Sequence, residues 1–232
     1  MKQHQNMPNN LEIACFSLEA ARIAQAAGAS RIEFCAGKSL GGITPPFDLI
    51  AAARAEISLP LYVMIRPRGG DFVYNEAELA EMKQAILFCE EIGIEGFVFG
   101  ILSENKTINI VGNQALVRLA APLPCTFHRA FDAVLDKKTA LEQLIHCGFQ
   151  CLLTSGGEGN AEDFLPQLAA LIQQAQQRIV VMPGGGIRSH NIAHIQQVTQ
   201  ASMFHSAGIL QGELPDEGEI RRAINPLGTK NK

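Results

Sequence analysis

Residues 179–188 read Ile-Val-Val-Met-Pro-Gly-Gly-Gly-Ile-Arg, an apolar, β-branched run that ends in three consecutive glycines. A short run of this kind, bounded by turn residues and followed by a helix-like segment, is typical of a strand covered on both faces. Seven further runs recur with starts 20 to 35 residues apart, at 11–16, 31–36, 61–67, 96–102, 125–131, 151–156 and 203–208. Eight β/α units predict a closed parallel (β/α)8 barrel of the TIM type, in the α/β class.

The series of units is uninterrupted and predicts a single domain over residues 11–232. Residues 1–10 form a polar, flexible lead, and residues 209–232 form a short closing tail with one helical piece near 217–224. We expect this tail to close the barrel weakly, because it is mostly polar. A doubly wound open sheet is the rival fold, but the Gly-x-Gly-x-x-Gly turn that usually follows its first strand is absent.

Composition excludes several classes of function. The 232 residues carry a formal charge of -4, so the chain has no basic field for nucleic acid or anionic lipid. No apolar run approaches the 18 residues that span a bilayer, and the polar start does not resemble a targeting peptide. The six cysteines lie in apolar segments of a long chain, which is typical of free thiols. We therefore expect a cytoplasmic protein.

Candidate catalytic residues lie at the carboxyl ends of the predicted strands, where barrel enzymes place their chemistry. Because side chains alternate along a strand, polar residues two apart share one face, and charge is tolerated only toward the barrel interior. The side chains expected on this basis to face one cup at the top of the barrel are those of Glu33, Cys35, Arg66, Arg68, Thr126, His128, Thr154 and His205.

Each candidate also has a structural interpretation. Glu33 and Arg66 could form a buried ion pair, and His128 could be a core histidine with its hydrogen bonds satisfied. Asp132 lies just past the fifth strand and suits either a helix N-cap or an acid/base role. Alternation places Arg129 on the face opposite His128.

The glycines indicate an anion site. Glycines let backbone N–H groups approach an anion, and loops after strands 7 and 8 of a barrel commonly hold phosphate beside a helix N-terminus. The predicted anion-binding residues are Thr154, Ser155, Gly184, Gly185, Gly186 and Ser206. The alternative is that the three glycines only make a tight turn.

Several longer motifs carry a family resemblance. They are Ile65-Arg-Pro-Arg-Gly-Gly-Asp-Phe72, Thr126-Phe-His-Arg-Ala-Phe-Asp132, Leu153-Thr-Ser-Gly156 and Met182-Pro-Gly-Gly-Gly-Ile187, with Glu33-Phe-Cys35 and Gly41-Gly-Ile-Thr-Pro45 before them. With these motifs, residues 11–208 resemble the CutC family, called copper homeostasis proteins. The resemblance implies a cytoplasmic barrel that self-associates as a homodimer or larger homo-oligomer. It also implies copper(I) binding through cysteines at the ends of strands 1 and 2.

The chain departs from that family pattern at the first strand. Ala14 stands where family members usually carry a cysteine, so only Cys35 matches a proposed copper(I) ligand. Cys15 is one residue away and is predicted to point toward the helices rather than toward Cys35. Copper(I) favours two or more thiolates, which this chain does not offer at that place.

Three functions remain open from the sequence, and whether the chain is an enzyme is not decided. The first is a copper homeostasis protein that binds copper(I). The second is an enzyme for a small anionic or phosphorylated substrate, with Glu33, His128 or Asp132 transferring protons and Arg66 and Arg68 binding charge. The third is an inert barrel that binds a partner through its surface.

Overall fold

Eight short parallel strands form the sheet of this computed structural model, which describes residues 10–227. The strands are β1 Leu11–Cys15, β2 Arg31–Phe34, β3 Leu61–Met64, β4 Gly96–Phe99, β5 Cys125–Phe127, β6 Cys151–Thr154, β7 Val180–Pro183 and β8 Phe204–Ser206. The hydrogen-bonded order is β7-β6-β5-β4-β3-β2-β1-β8, so the sheet curls into a nearly closed ring. The predicted (β/α)8 barrel is confirmed.

The strand ladders show why side chains sort into two layers. On β1 and β2, Ile13 and Phe34 belong to the large apolar core between the sheet and the helices. The alternate positions of β2 and β3, including Cys35 and Met64, face the barrel interior, where they form a separate small cluster. Alternation therefore separates an apolar outer layer from an inner layer that also carries charge.

Within the described residues, eight α-helices follow the strands. They are α1 Leu18–Ala26, α2 Phe47–Glu56, α3 Glu76–Glu91, α4 Ile110–Leu119, α5 Lys137–Cys147, α6 Leu165–Ala175, α7 Ile192–Thr199 and α8 Glu217–Ile224. Side-chain caps explain where two of them begin: the Ser17 side chain accepts a hydrogen bond from Ala20 N, and Asn75 forms a capping box with Glu78.

The predicted runs extend past the observed strands, and two of the differences from the structure bear on the site. β5 ends at Phe127 rather than at Phe131, because residues 129–133 turn into a 3-10 helix whose Ala130 N–H is capped by the His128 ring. The triglycine turn does not lead directly into a helix, since α7 begins only at Ile192. The positive end of α7 therefore lies away from the glycines.

The closing tail packs more firmly than expected. Its predicted helical piece is α8, and Ile220, Ala223 and Ile224 on one face of α8 are buried in the apolar core. Glu219 accepts hydrogen bonds from the backbone N–H and the hydroxyl of Ser189, each at 2.7 Å, which ties α8 to the loop after β7. A polar composition hid how firmly this helix packs, because its apolar residues are few but share one face.

The ring has one seam. Every neighbouring pair of strands from β7 round to β8 is joined by a ladder, whereas no ladder joins β7 to β8 within residues 10–227. The two strands still lie against each other, and Ser206 Oγ donates to Ile187 O at 2.8 Å just beyond them. No helix among the described residues is long and apolar enough to cross a membrane. The predicted lead and the end of the tail, residues 1–9 and 228–232, lie outside the described residues.

Candidate active site

A cavity of about 420 Å³ opens at the carboxyl ends of the strands. It brings together most of the residues that alternation selected, namely Glu33, Cys35, Arg66, His128 and His205, and its wall beside β7 and β8 includes Gly185, Gly186 and Ser206. The shared cup that the sequence predicts is therefore present.

The predicted residues that lie outside this cavity are Arg68, Thr126, Asp132, Thr154, Ser155 and Gly184. Arg68 lies beyond the end of β3 and forms ion pairs with Asp71 at 2.9 Å and with Glu78 at 2.5 Å. Thr126 lines a second cavity at the opposite end of the barrel. Gly184 N–H is committed to the Thr154 carbonyl in the ladder.

Asp132 is a structural hub beside the cavity rather than part of its wall. One carboxylate oxygen accepts from the Thr154 hydroxyl, and the other accepts from Ser155 Oγ at 2.8 Å and Arg129 Nε at 2.7 Å. Thr154 and Ser155 are thereby turned toward Asp132, while Leu153 occupies the inward position on β6. With both oxygens bonded, Asp132 holds residues 129–133 against β6.

A chain of alternating charges runs through the barrel interior. Arg31 forms an ion pair with the fully buried Glu12, and Glu12 Oε1 lies 2.7 Å from His205 Nδ1. On the other side of the imidazole, His205 Nε2 lies 3.8 Å from Glu33 Oε2. Cys35 Sγ donates to that same Glu33 oxygen at 3.4 Å. Glu33, Cys35 and His205 reach the cavity wall, and Glu12 and Arg31 support them from below.

The pKa shifts along this chain follow from burial and neighbours. Burial, reinforced by Glu12, raises the pKa of Glu33 above its ordinary value. Burial alone would raise the pKa of Glu12, but Arg31 and His205 outweigh it and hold that pKa low. Burial would lower the pKa of His205, but the Glu33 and Glu12 carboxylates raise it overall. His205 therefore favours the imidazolium form between two carboxylates.

His128 is the opposite case in the same cavity. Burial, with the positive charge of Arg66 nearby, lowers its pKa to about 3, so the ring is neutral at physiological pH. Its Nδ1 accepts from Ala130 N–H at 3.3 Å, which places the ring proton on Nε2. No protein acceptor among the described residues bonds that Nε2.

Arg66 is buried without a counterion. Only 4% of its surface is exposed, and its Nη atoms donate to the carbonyls of Leu40 at 2.8 Å, Gly42 at 2.9 Å and Gly70 at 3.0 Å. Among residues 10–227 it forms no ion pair, so the alternative of a Glu33–Arg66 pair is not realised. A guanidinium that carbonyls satisfy keeps its full positive charge for a ligand.

The glycine wall adds further donors and charge. The backbone N–H groups of Gly185, Gly186 and Ala207 donate to no acceptor within the described part of the chain. Gly185 has a φ of +93°, and a side chain there would meet the Arg129 guanidinium at 3.1 Å, so this backbone packs directly on a cation. Arg188 also lines the cavity and donates only to carbonyl and hydroxyl oxygens.

Sequence reasoning missed three residues of this arrangement: Glu12, Arg31 and Arg188. The signal for Glu12 and Arg31 is the same alternation, because Glu12 lies two residues before Ala14 and Arg31 two before Glu33. Each is a charged residue inside an otherwise apolar strand. Arg188 lies within the glycine motif itself.

The cavity and its surroundings offer two kinds of metal ligand: carboxylate and imidazole groups, and the sulfur atoms of a cysteine and a methionine. Glu12, Glu33 and His205 offer ligand atoms within 4.8 Å of one another, although Arg31 already balances Glu12. For a soft cation, Cys35 is the one cysteine on the cavity wall, beside Met64, whereas Cys15 is buried in the outer core as predicted. Burial and Glu33 raise the pKa of the Cys35 thiol well above its ordinary value. These residues do not provide a site with two thiolates.

Comparison with known proteins places the chain in a protein family. A model of the CutC family matches residues 9–210. The chain belongs to the CutC family. This CutC-family chain is 44% identical over 195 residues to the human copper homeostasis protein cutC homolog, covering 84% of this chain and 71% of that protein. It is 43% identical over 224 residues to a family protein CutC of Parabacteroides distasonis, covering 96% and 91%.

A crystal structure described as the copper homeostasis protein CutC of Streptococcus agalactiae has the same fold. Its TM-score is 0.81 at 33% identity, and the match covers 85% of this chain and 97% of that one. The CutC family and its barrel are therefore shown for this chain by both sequence and structure.

Proposed function

We propose that this CutC-family chain is an enzyme that acts on a small phosphorylated substrate in the cavity at the carboxyl ends of the strands. The observation that carries the proposal is Arg66, a buried guanidinium without a carboxylate partner on the wall of a cavity that also holds Glu33 and His205. A bound anion would supply the missing negative charge. Substrate phosphate suits the opposite wall, where Arg188 and the free N–H groups of Gly185 and Gly186 lie.

Calorimetric titration with inorganic phosphate tests this proposal. Arg66→Met removes the uncompensated charge, and Arg68→Met is the matched control because Arg68 belongs to the same loop but is paired with Asp71 and Glu78. Removing an uncompensated positive charge from the cavity is expected to lower phosphate affinity about tenfold or more in Arg66→Met, with Arg68→Met close to the parent.

Arg66 also donates to three loop carbonyls, so Arg66→Met could lower phosphate affinity by disturbing the loop. A second variant separates this effect from the loss of charge. Arg188→Met, on the other side of the cavity, is expected to weaken phosphate binding as well. An unmodified protein that binds neither phosphate nor sulfate at millimolar concentration would refute the proposal.

Copper(I) binding is the second candidate, supported by Cys35 on the cavity wall and by relatives called copper homeostasis proteins. Cys35 would bind with the thioether of Met64, since Met64 packs in the same small interior cluster and also lines the cavity. Titration of the reduced protein with copper(I) against a competing chelator tests this. Binding no tighter than that of Cys35→Ser would remove the candidate.

The family resemblance also leads us to propose a cytoplasmic protein that self-associates, as a homodimer or a larger homo-oligomer. Sedimentation equilibrium over a hundredfold range of protein concentration measures the assembly. A monomer at every concentration would contradict this.

A further inference from the structure

Three unpaired polar atoms belong to side chains that line the cavity. Within the described residues, the buried side-chain atoms without a hydrogen-bond partner include Glu33 Oε1, Arg66 Nε and His128 Nε2. Leaving a buried polar atom unpaired costs stability, so its presence in a folded protein calls for an explanation. Three such atoms around one cavity indicate a ligand that bonds them.

The chemistry of the three atoms restricts that ligand. Arg66 Nε and His128 Nε2 are donors, and His128 donates as a neutral ring because its Nδ1 is an acceptor for Ala130 N–H. Glu33 Oε1 is an acceptor. The ligand must therefore present an oxygen acceptor toward Arg66 and His128 and a proton toward Glu33.

The two donors are held by one aromatic ring. The Arg66 guanidinium carbon lies 4.8 Å from the centre of the Phe72 ring, and the His128 ring centre lies 4.9 Å from it. Gly100, on the intervening strand end, leaves room for His128, since a side chain there would lie 2.8 Å from the imidazole. Both donors are thus fixed before any ligand arrives, which is how an oxyanion is best stabilised.

The acceptor, the Glu33 carboxylate, is positioned by His205 and Cys35. Glu33 Oε2 faces His205 Nε2 at 3.8 Å and accepts from Cys35, so only Oε1 is left for a ligand. His205 is in turn oriented by Glu12 at 2.7 Å. The positive imidazolium opposes the effect of burial on the pKa of Glu33 and so favours the carboxylate, the form that a general base requires.

We infer that the cavity enolises a small phosphorylated α-hydroxy carbonyl compound, an inference that rests on the function proposed above. The Glu33 carboxylate removes a proton from the carbon beside the carbonyl. The C–H electron pair forms the C=C bond, and the carbonyl π pair moves to oxygen, where Arg66 and His128 donate hydrogen bonds to the enolate. Glu33 then returns the proton to carbon, so the step needs no co-reactant.

Two phosphorylated probes test the donor pair. The carboxylate of 2-phosphoglycolate mimics the enolate oxygens, and glycerol 3-phosphate carries the same phosphate without that mimic. We expect 2-phosphoglycolate to bind at least about tenfold tighter. His128→Leu, which removes a neutral donor without changing charge, is expected to abolish most of this advantage and to leave glycerol 3-phosphate unaffected. His128→Gln keeps an N–H donor and should restore part of it.

Proton abstraction is measured directly with dihydroxyacetone phosphate in D2O, by loss of the C1 proton signal in NMR spectra. The parent protein is expected to accelerate this exchange, and Glu33→Gln, purified in the same way, is expected to lose the acceleration. This readout decides the matter if His128→Leu fails to fold.

The outcomes separate this inference from the function proposed above. Equal binding of both probes, or no exchange catalysed by the parent, overturns enolisation while phosphate binding still supports a phosphorylated substrate. A preference for 2-phosphoglycolate that folded His128→Leu retains overturns the donor role of His128. Failure of phosphate and both probes to bind overturns both.

Discussion

His128 and His205 line one cavity, yet their surroundings drive their protonation in opposite directions. His128 meets apolar rings and the Arg66 cation, so the neutral ring is favoured. His205 lies between the carboxylates of Glu12 and Glu33, so the charged ring is favoured. One cavity thus contains two histidines with different roles: a neutral hydrogen-bond donor and a cation.

We predict that the two rings titrate apart. In long-range 1H–15N NMR spectra, His128 is expected to remain neutral with its proton on Nε2 at pH 5, and His205 to keep its second ring proton to a higher pH than a free imidazole. His205→Gln and His128→Gln assign the signals. Two rings that titrate together near pH 6.5 would contradict this arrangement.

The same shifts give the fold a pH dependence. The pKa of His128 falls from 6.5 to about 3 on folding, so the unfolded chain binds the extra proton, and stability falls as the pH decreases from 6.5 toward 3. The raised pKa of His205 acts in the opposite sense, because its contribution is complete below the unfolded value and is lost as the pH rises through the folded value.

Side-chain alternation predicts which residues line the cavity when the side chain belongs to a strand or lies just beyond it. Alternation correctly grouped Glu33 with Cys35 because both follow the geometry of β2 and its immediate extension. It failed for Arg68, which lies four residues beyond the end of β3, where the chain no longer alternates. It also failed for Thr154, because the inward position of β6 belongs to Leu153.

At the scale of elements, α8 shows how a polar segment completes a barrel. Its apolar residues lie on one face and reach the same core as α1, and Asp216 caps its first turn by accepting from Glu219 N. Composition alone understated this helix, since three buried residues are enough to fix a helix of eight residues when an N-cap and a buried glutamate also hold it.

Truncating the buried face of α8 tests its contribution. Ile220→Ala removes a side chain that is 1% exposed, and we expect the free energy of unfolding to fall by about 2–4 kcal/mol. Val111→Ala, on α4 with 81% exposure, is the matched control and is expected to change it little. Urea unfolding monitored by circular dichroism measures both. Equal small losses would mean that α8 is not part of the cooperative core.

The 3-10 helix after β5 depends on Asp132 in a comparable way. Asp132→Asn keeps the size of the side chain but weakens its bonds to Thr154, Ser155 and Arg129. We expect a loss of about 1–3 kcal/mol in unfolding free energy. Phosphate affinity is also expected to fall, because Arg129 packs under Gly185. Both are measured by denaturant titration and calorimetry.

Asp136→Asn is the control for this substitution. Asp136 is an exposed N-cap of α5 that accepts from Thr139 N, and asparagine caps a helix about as well as aspartate. A similar loss of stability in both variants would show that the effect of Asp132→Asn does not come from its hydrogen bonds to Thr154, Ser155 and Arg129.

At the scale of the whole molecule, the barrel buries all of its thiols. The six cysteines are free and buried, and burial raises the pKa of Cys89 and Cys125 to about 12 and that of Cys147 to about 11. A thiol reacts as its thiolate, so each of these groups is protected by both access and ionisation.

We therefore predict that thiol reagents report global unfolding. Reaction of the native protein with an aromatic disulfide at pH 8 is expected to be slow, and all six thiols should react within minutes in concentrated guanidinium chloride. Absorbance of the released thiolate measures both. Rapid modification of more than one cysteine in the native protein would show that the barrel opens readily.

The periodic spacing of strands determined the fold, because each β/α unit is a local pattern repeated eight times. The site needed more than that pattern. The chain from Arg31 through Glu12 to His205 joins β2, β1 and β8, and 174 residues separate Arg31 from His205 along the sequence (205 − 31). Only closure of the ring makes such residues neighbours.

The seam between β7 and β8 has a mechanical consequence. Any other pair of neighbouring strands must break a ladder to separate, whereas these two are restrained by side chains and loops alone. Heat or applied force will therefore part the ring along this line first. Gly185 follows β7 on one side of the seam, and Ala207 follows β8 on the other. An anion bonded to the N–H groups of both residues would therefore hold the two strands together.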